Sequence, residues 1–436
     1  MTLIARLPGL VIAALAALVV FGATAFVLAQ TRGGSPGPAA ASSAPAPRTT
    51  DGTITAAQAL LQKEPDNVIA LNALAGASLD KARQTGDPSW YTRADEAAHR
   101  ALAADPKSFA AMDSLGSLAL TRHRFADALE WSRRSLALAP TRVAPIGIRA
   151  DALVELGRYG PAFAAVQRRL DLRPDLPSYS RASYALELRG DRADATALMK
   201  LALDAGAPGS EGQAWTQVQL GLLRFGSGDL AGAEHEMRGA LAARPGDARA
   251  TAGLARVLAA RGQLTRAVAL YERAIDRLPL PEYPAALAEI HRALGTPAAV
   301  RDDLALAAAM QSLLAANGSN VDLDVSLANA DARRPSAADV AAARVAREGR
   351  PGVIGDQVLG WVLTRAGRCA EGDRYATRSL RLGTRDALML FQAGMAASCA
   401  GHPDVARRRL GAALDLNPAF SVRWAPVARR ELARLG

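Results

Sequence analysis

Aromatic side chains are scarce, at 5 % of 436 residues. A core of this chain must therefore be made mainly from alanine and leucine. Runs of valine, isoleucine and threonine are also few, which argues against strands, while alanine and leucine are strong helix formers. Half the residues are apolar, so a large core can be built. Only four lysines occur, and 48 of the 52 basic residues are arginine. The formal charge is +10, but the arginines are interleaved with acids along the whole chain. That is the pattern of a solvated helix surface. The densest basic clusters, Arg407–Arg409 and Arg429–Arg430, lack the interleaved aromatics of a single-strand binder. No nucleic-acid partner is expected.

Signs of chemistry are equally thin. The five histidines (His99, His123, His235, His291, His402) include no pair at i, i+3 or i, i+4, which excludes the usual helical metal motif and leaves them as surface or loop residues. The glycine-rich "GSGDLAG" at 226–232 follows no strand, so it reads as a turn and not a phosphate loop. No G-x-S-x-G elbow occurs. Neither a catalytic constellation nor a cofactor site emerges, and no enzyme is expected.

Residues 7–31 carry no charge, and Leu7 to Ala29 form an apolar run of 23 residues. At ~1.5 Å per residue this reaches about 34 Å, enough to cross a hydrocarbon core of ~30 Å. Two readings stand. The length favours a retained anchor over a signal peptide, whose apolar part runs ~7–15 residues. Against that, Val27-Leu28-Ala29 before Gln30 has the character of a cleavage site. Either reading sends the remainder into or through a membrane, so an extracytoplasmic array is expected, on a single-pass anchor or secreted after cleavage. The charges on either side set orientation only weakly. Residues 32–52, rich in Gly, Pro, Ala and Ser, read as a spacer.

Proline falls at 106, 140, 174 and 208, and again at 245 and 279, in steps of 34. Gly221, Ala233, Ala240 and Pro245 are separated by 12, 7 and 5 residues. Ala255, Ala267, Ala274 and Pro279 repeat this spacing, as do Gly116, Ala128, Ser135 and Pro140, and Gly394, Ala406, Ala413 and Pro418. Small residues 12 apart suit two helices of one hairpin that approach closely. A glycine between them (Gly157, Gly228, Gly262, Gly367, Gly401) suits a helix end of positive φ. A single hairpin cannot bury its apolar stripe, so each copy covers the last.

This pattern resembles the tetratricopeptide repeat (TPR). The resemblance implies an all-α solenoid of about ten helix-turn-helix units over residues 53–420, wound as a right-handed superhelix and closed by a capping helix at 421–436. The first unit is irregular, units at 282–314 and 321–351 are degenerate, and "AANGSNVD" interrupts the array between them. The family typically binds peptide segments on its concave face, lined by each unit's first helix. By register, Tyr184, Trp215, Phe225, Arg256, Trp361, Phe391 and Met395 belong to that face; burial of the aromatics in the core is the competing reading. Positions that would carry a carboxylate clamp hold Asp113, Gly147, Val218, Ala252, Gln357 and Phe391, which departs from that pattern. The resemblance also places Cys369 and Cys399 at the same end of two neighbouring helices, as a candidate disulfide or as two buried thiols. The function expected is a membrane-tethered or exported scaffold for a protein partner, in envelope assembly or secretion. The alternatives are a ligand-binding or enzymatic role in 282–351 and a cytosol-facing adaptor.

Overall fold

A computed structural model describes residues 49–436, so the apolar run at 7–29 and most of the spacer lie outside the described residues. Twenty-two helices and no strand occur among the described residues. A lead helix, α1 (Thr50–Lys63), precedes ten hairpins. They are α2 (Val68–Thr85) with α3 (Ser89–Ala104), α4 (Phe109–Thr121) with α5 (Phe125–Leu138), α6 (Val143–Glu155) with α7 (Tyr159–Leu172), α8 (Leu176–Leu188) with α9 (Arg192–Asp204), and α10 (Glu211–Gly226) with α11 (Leu230–Ala243). There follow α12 (Ala248–Ala260) with α13 (Leu264–Arg277), α14 (Glu282–Ala293) with α15 (Pro297–Ala316), α16 (Asp322–Ala332) with α17 (Ala337–Gly349), α18 (Val353–Arg365) with α19 (Cys369–Ser379), and α20 (Ala387–Cys399) with α21 (Pro403–Leu416). A last helix, α22 (Trp424–Leu435), ends the array. The helical part opens at Thr50, slightly before the expected 53, because Thr49 caps α1 by accepting a hydrogen bond from the Gly52 amide. No helix of the described residues is long and apolar enough to cross a membrane.

Each boundary has a local cause. Asn67, Ser108, Asp175, Ser210, Asp247 and Asp386 cap the first helices of their hairpins, each accepting a bond from an amide three residues on. Within hairpins, the small residues permit close approach. A Cβ on Gly221 would lie 2.8 Å from the Met237 methyl and 3.2 Å from Glu236 Cβ. A Cβ on Gly360 would lie 3.2 Å from Gly372 O, and one on Gly372 would lie 3.2 Å from Gly360 O.

The array does more than stack neighbouring units. The turn inside each of the first five hairpins touches chain that comes between five and six repeats later. Asn320 N donates to Arg122 O at 2.8 Å. Arg350 Nε donates to Glu155 Oε2 at 2.5 Å, across 195 residues. Thr384 Oγ1 donates to Leu188 O at 3.0 Å, and Arg192 Nη1 to Arg385 O at 2.9 Å. Asn417 Nδ2 donates to Phe225 O at 2.7 Å, across 192 residues. The first of the five makes an apolar version of the contact, where a Cβ on Gly86 would lie 3.1 Å from Leu278. A nearly constant separation means that the superhelix completes a turn in that interval and its second turn rests on the first. At Gly157, φ is +68°, and a Cβ would sit 2.9 Å from Pro351 O. Both the backbone conformation and the space at this inter-turn contact therefore require glycine. His123, expected at the surface or in a loop, is a loop residue held inside this seam. Its Nδ1–H donates to Asn320 O at 3.0 Å, and burial lowers its pKa.

Candidate functional site

Stacked turns leave a lumen that is partly open to solvent. Its main chamber has a volume of about 700 Å³ and its inner chamber about 80 Å³. The walls come mostly from the first helices of the hairpins, with the 419–424 segment folded across one side.

The seven residues expected on the concave face separate into two groups. Trp215 on α10 and Arg256 on α12 are half-buried and line the main chamber. Tyr184 on α8 is half-buried and lines the inner chamber, which Arg256 also reaches. Phe225 borders both chambers but is only 4 % exposed, with the Arg256 guanidinium 4.5 Å over its ring. Trp361 and Phe391 do not face the lumen, and this corrects the reading from register. Phe391 is fully buried, and Trp361 donates its Nε1–H to Asp331 Oδ1 at 2.9 Å. Their rings pack with Phe420 and Trp424, Trp361 to Trp424 at 5.4 Å and Phe391 to Phe420 at 5.7 Å. The carboxyl-terminal segment lies over α18 and α20 and turns that part of the inner face into core. Met395 packs half-buried against the same cluster and lies outside both chambers.

Sequence reasoning passed over the charged lining. Arg249 and Arg256 lie seven residues apart on α12, and Glu282 and Glu289 seven apart on α14. All four line the main chamber. Burial raises the carboxyls of Glu282 and Glu289 to about 7, opposed at Glu282 by Arg249 and at Glu289 by Arg423 and Arg256. Asp331 adds to the rise at Glu289. Tyr271 is pushed up to about 12 by burial, and Tyr283 is raised as well. The sequence signal was present: charges of opposite sign recur at matching positions of adjacent first helices, 33 residues apart. Among the described residues no cluster of histidine, cysteine and carboxylate side chains could hold a metal ion.

Cys369 and Cys399 are joined by a disulfide, with Cα atoms 5.1 Å apart. It ties the start of α19 to the end of α20, away from the lumen.

Two family models, both described as tetratricopeptide repeat, match residues 89–143 and 224–290. No curated protein matches the chain. Among solved structures it is similar to PilW, a type IV pilus biogenesis factor, at 20 % identity over 44 % of this chain and 89 % of that one, with a TM-score of 0.38. It is also similar to a thermophilic TPR protein of Thermus thermophilus, at 19 % identity over 48 % and 100 % of the two chains, with a TM-score of 0.37. Human IFIT1 shares 13 % identity over 84 % and 90 % of the two chains, with a TM-score of 0.46.

Proposed function

We propose that this chain, a bacterial-type tetratricopeptide-repeat protein, is a protein-interaction scaffold held at a membrane by residues 7–29, with its array on the far side of that membrane. Tetratricopeptide arrays are protein-interaction modules, which supports a protein partner. The apolar run and the spacer at 32–52 support a tether. The Cys369–Cys399 bridge supports an oxidising compartment, because such bonds persist mainly outside the cytosol. Envelope assembly or secretion is the setting that such a scaffold would serve.

The observation that carries the partner reading is the lumen wall formed by Trp215, Arg256 and Tyr184. Aromatic and arginine side chains on a concave wall are what binding surfaces concentrate. Affinity capture of the tethered protein, with bound proteins identified by mass spectrometry, tests it. Trp215→Ala and Arg256→Ala should lose a partner that the parent chain retains, with helical content unchanged. Equal capture by all three chains would exclude the lumen as the partner site. Protease accessibility on intact cells tests which side the array occupies.

A second reading, a ligand-binding role in 282–351, is favoured by one observation: Glu282, Tyr283, Glu289 and Asp331 from that stretch all line the main chamber.

A further inference from the structure

We propose that the main chamber holds a small zwitterion with an apolar body, of the class of free hydrophobic amino acids and short peptides, bound between Arg249 and Arg256 on one side and Glu282 and Glu289 on the other. This goes beyond the scaffold reading and does not rest on it.

At about 700 Å³ the chamber falls within the ~300–1,000 Å³ typical of small-molecule sites.

The chamber wall carries unspent hydrogen-bonding capacity. Arg249 makes no hydrogen bond or ion pair within the described residues, and Glu282 is bonded only by its own backbone amide. No ion pair joins Arg249 to Glu282 or Arg256 to Glu289, although each pair is near enough to interact electrostatically. Glu289 accepts only from Ser421 Oγ, at 3.3 Å. The Ser117 hydroxyl also borders the chamber, is 1 % exposed and has no partner. Arg249, Glu282 and Glu289 are half-buried and Ser117 is buried; polar groups drawn out of bulk water normally find partners, so spare capacity gathered on one cavity wall marks a place where a ligand supplies them.

Charge selects the class. A purely anionic amphiphile would face Glu282 and Glu289, and a purely cationic one would face Arg249, Arg256 and Arg292. A zwitterion offers its carboxylate to a guanidinium and its ammonium to a carboxylate. The apolar body would lie against Trp215, Tyr271 and Tyr283. Spacing sets the length. Seven residues along a helix span about 10.5 Å, close to three residues of extended peptide at ~3.3 Å each. A tripeptide can therefore place its carboxylate at one level and its ammonium at the other.

Isothermal titration of the full chain in detergent tests this, with trileucine, free leucine, trileucine acetylated and amidated at its ends, and decanoate as probes. Trileucine should bind more tightly than leucine. Blocking both ends should weaken it about tenfold or more, as should Arg249→Gln or Glu282→Gln. The comparison of free and blocked peptide uses the parent chain, so it stands even where a variant folds poorly. Absence of binding by both leucine and trileucine overturns the proposal. So does equal binding of the blocked peptide, or decanoate binding as tightly as trileucine. Partner capture without any added peptide is a separate readout, so the two ideas can fail independently.

Discussion

The hydroxyl of Tyr159 accepts a hydrogen bond from the Val353 amide at 2.7 Å, across 194 residues of chain. Tyr159 opens α7 beside the turn of its hairpin, and Val353 opens α18. Burial in this contact pushes the Tyr159 hydroxyl up to about 12. A nearly equal separation recurs at the Arg122, Glu155, Leu188 and Phe225 contacts, so it is a property of the superhelix and not of one side chain. Nearest-neighbour packing sets the repeat; this seam sets one turn of the superhelix against the next.

Two turn glycines separate the seam from the ordinary demands of a helix end. Gly157 and Gly262 both have positive φ, +68° and +77°. Only Gly157 meets the other superhelical turn; around Gly262 an added Cβ would find nothing within 4 Å. Gly262→Ala should destabilise by about 1–2 kcal/mol for the backbone alone. Gly157→Ala should cost about 1 kcal/mol more, because its methyl group would collide with the Pro351 carbonyl. Chemical denaturation of both variants checks the difference.

Gly221→Leu should lower stability by about 1–3 kcal/mol or more. The Met237 methyl and Glu236 Cβ already occupy the space the new side chain needs. A melting temperature equal to the parent's would mean that α10 and α11 are not in this register.

Stability should fall as pH rises from about 4.5 to 7. Glu187, Glu282 and Glu289 are all raised from 4.5 to about 7, chiefly by burial. In that window the folded chain holds protons that the unfolded chain has lost, so raising the pH favours unfolding. His123, lowered by burial, acts in the opposite sense, but three carboxyls oppose one imidazole. Thermal melts at pH 5.5 and 8 should show the lower midpoint at pH 8, and a combined Glu282→Gln and Glu289→Gln variant should narrow the gap.

Reducing the Cys369–Cys399 bridge should lower the melting temperature. It closes a loop of 30 residues, for which the chain-entropy model gives roughly 3–4 kcal/mol. Cys369→Ser and Cys399→Ser should melt where the reduced parent does, and alkylation without reductant should find no free thiol. Two labelled thiols would remove this support for an oxidising compartment.

Much of the fold was legible because a repeat writes its neighbour contacts into a period. Proline steps of 34 and the spacing from Gly221 to Ala233 fix which helices pair. The seam was not legible, since bonds such as Asn417 Nδ2 to the Phe225 carbonyl join distant units through a side chain that no repeat position specifies and a backbone carbonyl that any residue supplies. The same closure explains Trp361 and Phe391. Their register points to the inner face, but whether that face stays open depends on Phe420 and Trp424, which no repeat position specifies. Trp215 and Arg256 did reach the lumen, because the 419–424 segment lines their chamber without burying them.

A double-mutant cycle between Glu155 and Arg350 tests the stacked superhelix most directly. The pair is buried at 9 % and 13 % side-chain exposure and links α6 to the chain between α17 and α18. Glu155→Gln, Arg350→Gln and the double variant would be unfolded by denaturant beside the parent. Stacked turns require a coupling of about 1–3 kcal/mol, the range for buried residues in contact. A coupling under about 0.3 kcal/mol, the additivity found for distant sites, would mean that the two turns do not touch.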